Sequence, residues 1–252
     1  MRIYYCYTKD LNVEGLLQSK ILTDADYDRI TRIKNEEVQK EQLLSTYFKR
    51  KYVGEYHLNE YGKPLSDNVF FNISHTKGMV IIAIDSLPIG VDIETLRKTD
   101  DKLVKYVCSP DEELYIKNAL DFYNIWTNKE SLVKCIGTGI RTKVNEIPGL
   151  PLNDIREFVG MKYRSKTFDL FNYTVSVTRD SILDFDVELI QERLSFWCNL
   201  KNVDWINDFC LSGTHEKRKI DYFAINCMIY YWNEYFFKDD LKVIFYMPSC
   251  IF

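Results

Sequence analysis

Gly90-Val91-Asp92-Ile93-Glu94 is the stretch from which the fold of this 252-residue chain can be read. Val91 and Ile93 alternate with Asp92 and Glu94, the two-residue period of a half-buried strand. On a strand both carboxylates leave from the same face, about 7 Å apart. Two anions side by side repel, so a fold tolerates them most easily with positive charge between them. Gly90 adds no side chain, which a close neighbour at that point would explain.

Downstream, Trp126-Thr-Asn-Lys129-Glu130-Ser-Leu-Val-Lys134 reads as helix, with Trp126, Glu130 and Lys134 in one stripe at i, i+4, i+8. Glu130 and Lys134 also suit a plain helix-stabilising pair. If the stripe faces the strand, Glu130 is a third carboxylate at the same point. Three oxygen anions with no His or Cys beside them suit a hard cation that keeps some water, Mg²⁺ or in its place Mn²⁺. Mg²⁺ held by carboxylates usually takes substrate phosphates as its remaining ligands.

The composition sets bounds on these readings. Hydrophobic content of 46% and charged content of 28% are those of a soluble globular protein, and a net charge of −4 with no basic run gives no sign of electrostatic binding of nucleic acid. The seven cysteines are odd in number, scattered, and contain no C-x-x-C pair. That pattern fits free thiols in a reducing cytosol, so a cytoplasmic location is expected. Met1-Arg-Ile-Tyr-Tyr has no apolar signal core, and no run reaches the ~20 apolar residues of a membrane span.

Around the central strand the chain alternates elements without a βαβα series, which predicts an α+β fold. Met1–Tyr7 reads as a strand, and residues 23–52 as two helices or one broken one with caps at Thr23 and Asp26. The basic residues of that segment, Arg29 and Lys40 among them, suit a solvated helix face. Val69–Ser74 and Met79–Ile84 form a hairpin whose second strand is apolar on both faces and therefore buried. Ser109-Pro110-Asp111-Glu112 is a helix start with a capping box, and a second helix over 121–136 ends at Gly137. Residues 142–190 alternate short strand-like runs. From 191 the composition turns aromatic, with an amphipathic helix at 219–236 and a closing strand at 242–247. No Pro- or Ser-rich linker precedes this extension, so it is expected to pack on the body.

Four motifs then stand in order: Gly62-Lys63-Pro64, Phe71-Asn-Ile-Ser-His75-Thr, Gly90-Val-Asp92-Ile-Glu94 and Trp126-x-x-Lys129-Glu130-Ser-x-x-Lys134. Together they resemble the signature series of the 4'-phosphopantetheinyl transferases, in the spacing of the larger, two-subdomain type that activates peptide and polyketide synthetases. The resemblance covers about residues 1–190 and implies two similar α+β halves related by a pseudo-twofold axis. These fall at residues 1–88 and 89–190, with 191–252 as a C-terminal extension. It implies coenzyme A as donor and an apo acyl or peptidyl carrier protein as acceptor, from an enzyme expected to be a monomer. A carrier serine attacks the β-phosphate, the phosphopantetheine arm transfers, and 3',5'-ADP leaves.

On that resemblance Asp92, Glu94 and Glu130 hold Mg²⁺, Glu112 sits close by, and Lys63 and His75 hold coenzyme A phosphates. Lys134 neutralises the leaving phosphate, and Glu130 can also serve as base toward the serine. Positions where the family carries basic residues for the 3'-phosphate hold Asp26 and Glu41, with Arg29 and Lys40 as the nearest substitutes. Two other functions use the same residues. One is a Mg²⁺-dependent coenzyme A phosphohydrolase, which needs no carrier. The other is a non-catalytic carrier-binding protein, which has no need of three converging carboxylates.

Overall fold

A computed structural model describes residues 1–194. The elements run β1 (Arg2–Tyr7), α1 (Val13–Leu17), α2 (Asp24–Thr31), α3 (Glu36–Tyr52), β2 (His57–Leu58), β3 (Pro64–Leu65), β4 (Phe70–Thr76), β5 (Met79–Asp85) and β6 (Ile89–Thr95). They continue with α4 (Asp101–Val107), α5 (Pro110–Tyr115), α6 (Ala119–Ile136), β7 (Ile155–Phe158), β8 (Met161–Leu170), β9 (Tyr173–Arg179) and β10 (Glu188–Gln191). The class is α+β, as the sequence predicts. The extension expected from residue 191 lies outside the described residues beyond Leu194, and with it the helix at 219–236 and the strand at 242–247.

Two four-stranded sheets form the frame, in the orders β10-β1-β5-β4 and β6-β9-β8-β7. The long helix α3 covers one face of the first sheet, where Leu43, Leu44 and Phe48 meet Cys6, Val80 and Ile82. The other face of that sheet meets the second sheet through Ile3, Met79, Ile81, Val91, Ile93 and Val175. This explains β5: its even-numbered apolar residues face α3 and its odd-numbered ones face the second sheet, so neither side is wet.

Several local predictions are met by the caps. Thr23 and Asp26 close a capping box on α2, and Ser109 and Glu112 close another on α5 with Pro110 in its first turn. Gly137 ends α6 in the left-handed region at φ 83°. Gly90 meets its close neighbour: a Cβ there would lie 2.0 Å from the Ser131 carbonyl oxygen and 2.3 Å from the Cys135 nitrogen. The helix that carries Glu130 and Lys134 therefore rests directly on the backbone of β6.

Candidate active site

The even-numbered residues of β6 point away from the inter-sheet core toward α6 and β4. Asn72, Ser74 and Thr76 stand on one side of β4 and meet them. Asn72 Oδ1 accepts from the Val91 amide at 2.9 Å, Ser74 donates to Asp92 Oδ1 at 2.9 Å, and Thr76 donates to Glu94 Oε2 at 3.2 Å. From α6, Lys134 Nζ donates to Asp92 Oδ1 at 2.5 Å and to Ser74 Oγ at 2.9 Å. Trp126 Nε1 reaches Glu94 Oε1 at 3.4 Å, and Arg97 pairs with Glu94 Oε2 at 2.9 Å. The helical stripe Trp126, Glu130, Lys134 thus does face the strand. Each carboxylate has its own cation, Lys134 on Asp92 and Arg97 on Glu94.

Glu130 differs from its neighbours. Its carboxylate makes no hydrogen bond or ion pair among the described residues. Burial, followed by the charge of Asp92, pushes its carboxyl pKa above the ordinary value; Lys134 opposes the rise and Glu94 adds to it. A groove of ≈ 280 Å³ opens beside it, lined by Lys63, Asn72, Glu130, Lys134 and Gly137 among others.

Among the described residues no three His, Cys, Asp or Glu side chains stand as a ready metal-ligand group. The donors nevertheless fit a hard cation. All are carboxylate oxygens, Asp92 Oδ2 is buried without a hydrogen-bond partner, and Glu130 feels both other carboxylates. A divalent ion would relieve that shared repulsion.

One relationship settles the family. The chain is 31% identical over 161 residues to the 4'-phosphopantetheinyl transferase ffp of Bacillus subtilis, an alignment covering 52% of this chain and 72% of that one. The chain belongs to the 4'-phosphopantetheinyl transferases. The model of the 4'-phosphopantetheinyl transferase superfamily, ACPS, matches residues 88–181, from the turn before β6 to just past the end of β9. The transferase gsp of Aneurinibacillus migulanus is 36% identical over 94 residues, 34% of this chain and 40% of that protein. Several of these transferases are thus matched over only about two fifths of their length. The solved holo-[acyl-carrier-protein] synthase of Thermotoga maritima is similar at 14% identity and a TM-score of 0.27, over 36% of this chain and 61% of that one, a likeness too weak to bear on the fold.

The other residues expected at a phosphopantetheinyl transferase site are placed as follows. Lys63 lines the groove, but its ammonium donates to the carbonyls of Cys135 at 3.0 Å and Ile89 at 3.4 Å, so it also caps the C-terminal end of α6. Burial lowers its pKa. His75 lies on the opposite side of β4 from Ser74, half-exposed, with Nδ1 3.3 Å from Glu41 Oε2 on α3. Arg29 donates to Thr46 at 2.7 Å and lies 3.7 Å from Asp26, and Lys40 pairs with Glu36 at 2.6 Å. Asp26 itself is held by Arg50 at 2.9 Å. Arg29, Lys40 and His75 therefore each have a partner of their own and do not line the groove.

Glu112, expected close to the cation, has its carboxylate engaged by the chain itself. Its carboxylate is buried and taken up by Lys129 at 2.6 Å, the Gly149 amide at 2.6 Å and the Ser109 amide at 2.8 Å. The ammonium of Lys129 completes its bonds on the carbonyls of Val107 and Val144. The ammonium and the two amides take up three of the roughly four acceptor positions of this carboxylate. Sequence reasoning missed Thr76 and Arg97, which hold Glu94. Thr76 could have been found from the alternation Asn72-x-Ser74-x-Thr76, and Arg97 from its place three residues after Glu94.

Proposed function

We propose that the chain transfers the 4'-phosphopantetheine arm of coenzyme A to a serine hydroxyl of an acyl or peptidyl carrier protein in the cytoplasm, releasing 3',5'-ADP. The observation that carries this reading is an unpaired Glu130 that lines one groove with Lys134, whose ammonium is paired with the buried Asp92, in a chain of this family. We also read residues 1–88 and 89–190 as the family's two similar halves, since the first supplies three strands of one sheet under α3 and the second the whole of the other sheet under α6, with β10 at its end returning to the first sheet.

Asp92, Glu94 and Glu130 are the residues that would hold Mg²⁺. When bound, the ion supplies charge neutralisation to the donor's phosphates. The rest falls to the chain. Glu130 takes the serine proton directly or through a water. The serine oxygen forms a bond to the β-phosphorus of coenzyme A as the bond to the 3',5'-ADP oxygen breaks. Lys134 faces the same groove and neutralises the charge that develops on the leaving phosphate. Lys63 at the groove wall and His75 on β4 are assigned to the donor's phosphates, and Arg29 and Lys40 to its 3'-phosphate. For Arg29 and Lys40 this requires exchanging a carboxylate partner for a phosphate.

Incubation with coenzyme A, Mg²⁺ and an apo carrier protein tests the reading. The carrier is expected to gain the mass of one phosphopantetheine arm. Cleavage of coenzyme A with an unmodified carrier would replace this reading with a phosphohydrolase.

A further inference from the structure

The face of α6 that meets the second sheet is not uniformly apolar. Thr174 Oγ1 donates to Asn124 Oδ1 at 2.5 Å, Thr127 and Ser176 hydroxyls lie 2.7 Å apart, and Ser131 and Thr178 hydroxyls lie 2.7 Å apart. These are three rungs from one helix face to alternate residues of β9. The rungs continue into the sheet, from Ser176 to Thr167 at 2.8 Å and from Thr178 to Ser165 at 2.9 Å. Arg156 lies at the end of the network, 2% exposed and with no carboxylate in ion-pair range among the described residues. It donates to Ser165 at 2.6 Å, Thr178 at 2.9 Å and the Pro148 carbonyl at 2.6 Å.

Apolar contact holds a helix on a sheet but is non-directional, so it tolerates sliding and rotation. Hydrogen bonds weaken steeply off distance and angle, and a buried hydroxyl that loses its partner is costly. Such a network adds little net stability compared with apolar packing of the same shape, but it selects one arrangement among several. Here the arrangement selected is the position of α6, and Glu130 and Lys134 ride on that helix beside the rungs.

We infer that this hydroxyl ladder, with Arg156 at its end, fixes the register of α6 on the sheet and so positions Glu130 and Lys134 in the groove. The inference rests on the groove being the transfer site. Thr127, Ser131, Ser176, Thr178 and Arg156 are then positioning residues that touch no substrate. A misplacement of about 1 Å costs on the order of 10²-fold in rate.

The middle rung can be removed with little change of shape by the paired substitution Thr127→Val and Ser176→Ala. The expected result is a melting temperature near that of the unmodified protein, a kcat lowered about tenfold or more, and an almost unchanged KM for coenzyme A. Thr127→Ser, which keeps the hydroxyl, should retain most of kcat. Amide hydrogen exchange over residues 124–134 should speed up in the paired variant while that of α3 stays unchanged. Unchanged kcat with unchanged exchange would overturn the inference, as would a loss of kcat that merely follows a loss of melting temperature. If the unmodified protein transfers nothing to a carrier, the proposed function fails, and the exchange comparison alone decides whether the ladder sets the helix.

Discussion

Lys134 Nζ lies 2.5 Å from Asp92 Oδ1, and the same ammonium bonds Ser74. One cation thus joins α6, β6 and β4 at the place where the proposed chemistry needs charge. The pair is largely buried on the Asp92 side, with 7% of that side chain exposed against 28% for Lys134. Breaking it leaves Asp92 without its cation in the field of Glu130 and Glu94.

Lys134→Ala should therefore have two separable effects. Stability should fall by roughly 1–3 kcal/mol, below the figure for a fully buried pair because Lys134 is part-exposed. With Mg²⁺ and donor present, kcat should fall more than KM for coenzyme A rises, because leaving-group charge develops in the transition state. A thermal melt and initial rates over a range of coenzyme A check both. A change in KM alone would assign Lys134 to ground-state binding.

Glu130→Gln should trade activity for stability. The folded-state pKa of Glu130 is raised, first by burial and then by Asp92. For a carboxyl with a raised folded pKa, its stability contribution is fully present below the unfolded value and is lost as pH rises through the folded value. At neutral pH the ionised carboxylate therefore destabilises the fold, and a neutral amide removes that cost. Without Mg²⁺ the variant should melt higher than the unmodified protein at neutral pH, with the difference vanishing in acid below the ordinary carboxylate range. Its transfer rate should drop by roughly 10²–10⁴-fold through loss of the base. Equal melting temperatures at both pH values would contradict the repulsion among the three carboxylates.

Gly90→Ala should be severe for so small a change. The added carbon would meet backbone of α6 at 2.0 Å, not a side chain that can swing away. The helix must lift from β6, at about 3 kcal/mol or more. A drop in melting temperature of about 6–12 °C and a matching loss of transfer activity are expected. A near-normal melt would mean that α6 does not rest on Gly90.

Val159→Asn should stabilise the fold without touching the site. Val159 and Gly160 form the two-residue turn between β7 and β8, at φ 52° and 72°. Positive φ at both positions is the primed hairpin turn that favours Asn-Gly, and a β-branched residue is strained there. Val159 is 79% exposed, so little packing is lost on replacement. The melting temperature should rise by about 2–4 °C, from about 1 kcal/mol, with unchanged transfer rate. A lower melting temperature would contradict the strain at this turn.

Much of the frame was legible because it is written in local patterns. The alternation at 91–94, the double-sided apolar run at 79–84 and the caps at Thr23, Ser109 and Gly137 each depend on neighbours a few residues away. The stripe Trp126, Glu130, Lys134 was legible for the same reason, whereas its orientation toward the strand came only from the contacts of Trp126 and Lys134. Long-range pairings leave no such signal. β10 returns to lie parallel to β1, pairing Ile3 with Leu189, and nothing local at residues 188–191 announces it. Glu112 is instructive: its role as capping residue was legible from Ser109, but its partners Lys129 and Gly149 come from elsewhere in the chain. The hairpin at Val159 was not recognised because its first residue is not the Asn or Asp that such turns favour.

The most direct measurement follows the mass of an apo carrier protein during incubation with coenzyme A and this protein, first with Mg²⁺, then with excess chelator, then with Mg²⁺ restored. The cluster of Asp92, Glu94, Glu130 and Lys134 predicts that the carrier gains the phosphopantetheine arm, that modification stops in chelator, and that it resumes on return of the ion. Modification at full rate in excess chelator would contradict the assignment of these carboxylates to a metal-dependent transfer.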